Sequence, residues 1–168
     1  MTKPSILVAG IGNIFFGDDG FGVEVVRRLA TRQLPAEVRV VDFGIRGLDL
    51  AYALLDPYEL VILVDAAQAG APPGTLQVLQ PHIDDLPLSA ESASPQTHGM
   101  VPTKALEMAK SMGAEIKQLR LVSCEPACFD DFEEGHCGLS EPVANAVDRA
   151  VALIDSLIDE FLVCTNSE

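Results

Sequence analysis

Gly10-Ile11-Gly12-Asn13-Ile14-Phe15-Phe16-Gly17-Asp18-Asp19-Gly20-Phe21-Gly22 follows directly on the apolar run Ser5-Ile6-Leu7-Val8-Ala9 and leads into Val23, Val26, Leu29 and Ala30 at helical spacing. A short apolar run, a glycine turn and an amphipathic segment read as strand, tight loop and helix, the first βα unit of an α/β sheet. A turn at the carboxyl end of such a strand is a ligand site, and a dinucleotide pyrophosphate is the first ligand to consider. That fingerprint requires a third glycine at position 15, where this chain has Phe15. It also requires a loop that welcomes anions, whereas Asp18 and Asp19 place two negative charges where a helix amino terminus would cradle a phosphate. The loop is suited to a cation.

Outward from this unit, Val38-Arg39-Val40-Val41-Asp42 reads as a second strand and Phe43-Gly44-Ile45-Arg46-Gly47 as a glycine turn. Leu48, Ala51, Leu54 and Leu55 repeat at helical spacing until Asp56-Pro57. Leu60 to Asp65 is a continuous apolar run ending in a carboxylate, as expected of a central strand covered on both faces. The next strand, Thr75 to Gln80, follows a short Gly/Pro loop with no helix, which favours an antiparallel place at the edge. Residues 81–97 form a long polar loop of the kind that carries function. Pro102 opens a helix that Gly113 closes. Ile116 to Val122 is the last strand. Ser140 as N-cap and Pro142 in the first turn begin a long final helix, with Val143, Val147, Ala150, Val151, Ile154, Leu157, Ile158 and Phe161 on one stripe and Asp148, Asp155 and Asp159 opposite. The expected fold is a three-layer α/β sandwich: a mainly parallel five-stranded sheet with one antiparallel edge strand and helices on both faces. Asp19, Asp42 and Asp65 then share the carboxyl edge.

The 168 residues suffice for one domain, 1–168, with a substantial core. Eleven Lys and Arg against 25 Asp and Glu give a net charge of −14, which opposes binding to nucleic acid or an anionic membrane surface. No run approaches the roughly 18 apolar residues of a membrane span, and the apolar stretch behind Lys3 runs into Asp18-Asp19 without an export cleavage site. Cys124, Cys128, Cys137 and Cys164 are too sparse for a disulfide scaffold and fit a reducing cytoplasm.

Asp19, Asp65 and His98, at the exit of the long loop, are candidate metal ligands. Two carboxylates and an imidazole suit a borderline divalent ion such as nickel, zinc or manganese and leave coordination positions open. From spacing alone the opposing reading stands beside this one: a strand-end aspartate is commonly a turn residue, and a lone histidine a hydrogen-bonded structural one. Of the adjacent acids, Asp18 is assigned to the N-cap of the first helix and Asp19 to the metal, because successive side chains point in different directions. Cys124, Cys128, His136 and Cys137 have an irregular spacing for zinc and are weighed against an ordinary acidic loop. Nothing places a base beside Cys124 to make it a nucleophile. His82 reads as surface. A rival binding module for a nucleotide or small anion rests on Gly10-x-Gly12 and on Asp42 in the place of a ribose-binding acid.

Residues 10–22 resemble the amino-terminal signature G-x-G-N-x-x-x-x-D-[DE]-x-x-G of the hydrogenase maturation proteases, matched by Gly10, Gly12, Asn13, Asp18, Asp19 and Gly22. Asp42 to Gly47 is similar to the family's D-x-G-x-x-G segment, and Gly138-Leu139-Ser140 to its motif opening the last helix. Ile45 stands where the family often has Thr or Ser, and Thr97-His98-Gly99-Met100 replaces P-H-x-x-G-L, departures that bear on the hydrogenase subtype. The resemblance implies an endopeptidase that trims the carboxyl terminus of a nickel-iron hydrogenase large-subunit precursor, with Asp19, Asp65 and His98 as metal-binding and catalytic set. It implies also that the nickel is supplied by the precursor, with no organic cofactor. A cytoplasmic monomer is expected, and a maturation chaperone that docks without cleaving is the remaining alternative.

Overall fold

The computed structural model describes residues 5–85, 102–127 and 138–165. Strand β1 (Ile6–Ile11) is followed by a 3-10 turn at Gly17–Gly20 and helix α1 (Phe21–Leu29), then β2 (Val38–Gly44), α2 (Gly47–Ala53), β3 (Leu60–Ala66) and β4 (Leu76–Leu79). After a second 3-10 turn at Ile83–Asp85 come α3 (Pro102–Ser111), β5 (Gln118–Cys124) and α4 (Glu141–Thr165). The strands form one sheet in the order β2-β1-β3-β5-β4. All pairings are parallel except β4 with β5, where Leu76 faces Cys124 and Leu79 faces Leu121. The antiparallel edge strand and the sheet expected from the sequence are therefore present.

Side-chain alternation along the strands divides the core in two. Ile6 and Val8 of β1 and Leu60, Ile62 and Val64 of β3 pack with Val25, Val26 and Leu29 of α1 and with the apolar stripe of α4. Leu7, Ala9, Val61 and Leu63 face the other way, onto Leu50, Ala51 and Leu54 around α2 and Ala105, Leu106 and Ala109 of α3. Arg28 to Asp148 at 2.7 Å and, just past the end of α1, Arg32 to Asp155 at 2.6 Å tie this part of the chain to α4, which accounts for two of the three acids opposite the stripe. These pairs are at least partly exposed and add at most about 1 kcal/mol each.

One reading of a helical face is corrected. Leu48 and Leu55 belong to the periodic set predicted for the second helix, yet they are exposed, and the residues turned inward are Leu50, Ala51 and Leu54. Both sides of this segment carry apolar residues, so spacing does not identify the buried one.

The glycines of the first loop set how closely α1 approaches the sheet. A Cβ on Gly22 would stand 2.1 Å from the carbonyl oxygen of Val64 and 2.5 Å from that of Ile11, and one on Gly10 would meet Val26 at 2.3 Å. Gly22→Ala therefore collides with the backbone of β1 and β3 together and has to lift α1 from both. It is expected to cost about 3 kcal/mol or more, read as a lowered denaturant midpoint.

Candidate functional site at the carboxyl edge of the sheet

The chain passes from β1 through α1 to β2 on one side, then through α2 to β3 on the other side of β1. The carboxyl ends of β1 and β3 are thus the point where strand order reverses, and the loops leaving them diverge to form a crevice. Gly12 opens the first loop with φ 133°, a conformation that favours glycine, and a Cβ there would lie 1.8 Å from the carbonyl oxygen of Asp19. The loop folds back on its own start. In that fold the Asp19 carboxylate accepts the backbone N–H of Asn13 at 2.7 Å, while the Asn13 side chain accepts the N–H of Phe15 at 2.9 Å. The glycine spacing that resembles a phosphate loop here serves a close contact of the chain with itself.

Asp65 lies near the end of β3, beside the first loop, and its Oδ1 accepts the N–H of Ala66 at 2.9 Å. Burial pushes its carboxyl well above the usual carboxylate range, the charge of Asp19 pushes it further, and the bond from Ala66 opposes both. Burial likewise raises Asp19, offset in part by the Asn13 N–H. The two carboxylates are close enough to repel, and among the described residues neither has an ion pair with a Lys or Arg. Such a pair, desolvated and uncompensated, favours a cation. Of the three predicted ligands the structure brings together Asp19 and Asp65. His98 lies outside the described residues, among which no three His, Cys, Asp or Glu side chains form a metal-sized group. Cys128, His136 and Cys137 also lie outside them.

Asp18 does something else. It is buried, and α1 has Gly20 at its N-cap position with no side-chain cap, so the assignment of Asp18 to that cap is wrong. Its Oδ1 accepts the backbone N–H of Ser140 at 2.7 Å, and its Oδ2 accepts the Ser140 hydroxyl at 2.9 Å and the N–H of Ala127 at 2.8 Å. Ser140 is the residue before α4, its carbonyl accepting the N–H of Ala144 at 2.8 Å. The first loop is thereby tied to the start of the last helix and to the chain leaving β5, and the Gly138-Leu139-Ser140 motif gains a reason. A capping assignment assumes a partner within one turn; here the partner is 122 positions away.

Other residues of the rim fall into place. Asp42 is engaged by Arg27 at 3.2 Å, and Arg46 donates to the Asp42 carbonyl, so a ribose-binding role for Asp42 finds no support. Glu125, not singled out from the sequence, is buried and accepts the N–H groups of Ala69 at 2.7 Å and Gly70 at 3.3 Å, pinning the loop after β3. Its only sequence signal is its position just past the last strand. Cys124 lies in the core with its thiol pushed up to about 11, first by burial, which removes it as a nucleophile. His82 is exposed, as expected.

Fold and site together define an α/β protein with a pair of buried, mutually repelling carboxylates at the carboxyl edge of its sheet. The HycI family of hydrogenase maturation proteases matches residues 23–157, a span beginning after the glycine loop and so independent of it. The chain is 36% identical over 155 residues to a protein of Methanocaldococcus jannaschii named as a candidate hydrogenase maturation protease, covering 92% of this chain and 96% of that one. It is 36% identical over 152 residues to the hydrogenase expression/formation protein HupD of Rhodobacter capsulatus, covering 89% and 70%. Among solved structures, the hydrogenase maturating endopeptidase HybD of E. coli superposes with a TM-score of 0.74 at 26% identity, over 92% of each chain. This chain belongs to the hydrogenase maturation protease family. It is a peptidase, one that processes the hydrogenase large-subunit precursor.

Two outcomes are expected. Asp18→Asn keeps one acceptor oxygen but offers an NH2 group to donors that need an acceptor. Bonds to a charged group are worth about 1.5–3 kcal/mol each, so the variant should lose about 2 kcal/mol in denaturant unfolding. For Asp65 the sign is opposite. A carboxyl whose pKa is raised on folding binds its proton more tightly when folded, so it costs nothing at low pH, and stability falls as pH rises from about 4 through the raised value. Asp65→Asn retains an oxygen for the Ala66 N–H. In metal-free protein it should therefore raise the melting temperature at pH 7 to 8, with the gain vanishing below about pH 4.

Proposed function

We infer that the protein removes the carboxyl-terminal extension of a nickel-iron hydrogenase large-subunit precursor after nickel insertion, and that it recognises the nickel. Asp19, Asp65 and His98 complete the coordination of an ion that arrives with the substrate. The observation that carries this reading is the pair of desolvated, mutually repelling carboxylates at the β1/β3 crevice. A divalent cation held by Asp19 and Asp65 would replace repulsion with attraction and would lower both pKa values. By strand alternation Asp65 follows Val61 and Leu63 on the face covered by α2 and α3. His98 precedes α3 by four positions in sequence, which suits it as the third ligand.

Only oxygen and nitrogen donors belong to this set. Without a thiolate it is poorly made to retain a transition metal permanently and better made to share one. Metal loading is then checked at the cleavage site itself. Hydrolysis would use a water, polarised by the metal or relieved of a proton by a nearby carboxylate. The buried Cys124 takes no part.

The test incubates chelator-treated protein with nickel-loaded and nickel-free precursor and follows the product by mass. Only loaded precursor should be shortened. Asp19→Asn and Asp65→Asn should stay folded yet lose activity by about 100-fold or more, the worth of a metal interaction of several kcal/mol. Equal cleavage of both precursors by wild-type protein rejects nickel recognition, and normal cleavage by both variants rejects the carboxylate site. Shortening by mass also separates a protease from a chaperone that only docks.

A further inference from the structure

The exposed side of α2 carries large apolar residues beside the Arg46–Asp49 ion pair. Leu48 and Tyr52, four positions apart on α2, share one side of it, with Ile45 in the turn before the helix and Leu55 just past its end, and the four are 53%, 58%, 58% and 40% exposed. A helix of a water-soluble domain turns its polar side outward, but this one has Leu50, Ala51 and Leu54 inside and a second apolar stripe outside. The stripe continues onto the first loop, where Ile14 is 40% and Phe15 66% exposed. The N–H of Gly12 donates to the carbonyl of Gly44 at 3.0 Å, which joins the first loop to the turn bearing Ile45. Ile14 packs over Gly20, where an added Cβ would come within 3.1 Å of the Ile14 Cα, and Gly20 is the neighbour of Asp19. Exposed apolar residues therefore stand on the first loop beside the carboxylates and on the turn and helix joined to that loop. In a chain with net charge −14, this group of exposed apolar side chains is unlike its surroundings, and the charges among them, Arg46 and Asp49, neutralise each other in an ion pair at 3.2 Å.

We propose that the stripe of Ile14, Phe15, Ile45, Leu48 and Tyr52 is the docking surface for an apolar face of the hydrogenase large-subunit precursor, next to the segment that reaches Asp19 and Asp65. The inference rests on the proposed function for the position of the cleavage site. The processing reaction requires precursor chain to lie at the crevice, and the stripe is continuous with that contact. Docking here is independent of the metal: the apolar strip supplies affinity, and the carboxylates sense the ion.

The experiment titrates nickel-free precursor into wild-type protein, the double variant Leu48→Glu/Tyr52→Glu and the control Val163→Glu, which changes a residue 67% exposed near the far end of α4. Affinity is read by calorimetry, folding by melting temperature, oligomeric state by light scattering and product by mass. Wild type and control should bind alike, and the double variant at least about tenfold more weakly with an unchanged melting temperature. Equal affinity for all three overturns the proposal, as does failure of wild-type protein to bind. A wild-type dimer that the double variant splits, with precursor affinity unchanged, assigns the stripe to a second copy of this chain and also overturns it. Cleavage of nickel-free precursor during the titration rejects nickel recognition, while the ratio of KM between double variant and wild type still decides docking: a ratio near one overturns it. If the double variant is unstable, the single exchanges Leu48→Ser and Tyr52→Ser replace it with the same criteria.

Discussion

The site depends on how closely the first loop and α1 lie against the ends of β1 and β3. Backbone meets backbone there: Gly22 sits on the carbonyls of Val64 and Ile11, and Gly12 under that of Asp19. Any side chain at these positions would separate the layers, and the turn at residues 17–20 would no longer be pressed over the crevice. Two adjacent acids on that turn are thereby aimed apart. Asp18 goes into the interior, where Ser140 and Ala127 supply its hydrogen bonds, and Asp19 goes toward Asp65. One buried carboxylate is fully engaged and fixes the turn. The other has one backbone N–H partner among the described residues and a negative neighbour.

This division costs stability locally and is sustained by the rest of the fold. Burying like charges side by side is unfavourable, and the sheet beneath tolerates it because both its faces are covered and β1 and β3 are buried along nearly their whole length. Polar groups around the crevice are otherwise satisfied: Glu125 holds the loop after β3, and Arg27 and Arg46 hold the end of β2. The unfavourable interaction is thus concentrated in the pair Asp19 and Asp65, the residues an incoming ion would relieve. Concentrated strain with a satisfied surround is the pattern expected where function competes with folding.

Much of this was legible in the sequence because it is written in local periodicity. The uninterrupted apolar run at 60–64 announced a central strand, and the short Gly/Pro connection before Thr75 announced an antiparallel edge. What the sequence concealed was non-local or ambiguous in phase. Asp18 looked like a cap because its donors, Ser140 and Ala127, are more than 100 positions away. Leu48 and Leu55 looked like core because the α2 segment repeats apolar residues on both sides, and only the packing of Leu50, Ala51 and Leu54 on the sheet selects one. Glu125 carried no signal since its partners are backbone amides of a loop without periodicity.

The glycine loop itself shows how one backbone device serves opposite chemistries. In a dinucleotide site the glycines clear space for a ligand's phosphate and the helix amino terminus attracts its charge. Here the space beside Gly12 is filled by the chain's own Asp19 carbonyl, and that beside Gly22 by the strand carbonyls. The acids on the turn before α1 then reverse the sign of the crevice, so the same strand, turn and helix that elsewhere collect an anion present carboxylates here. The resemblance of backbone geometry is genuine, and side-chain charge decides what it binds.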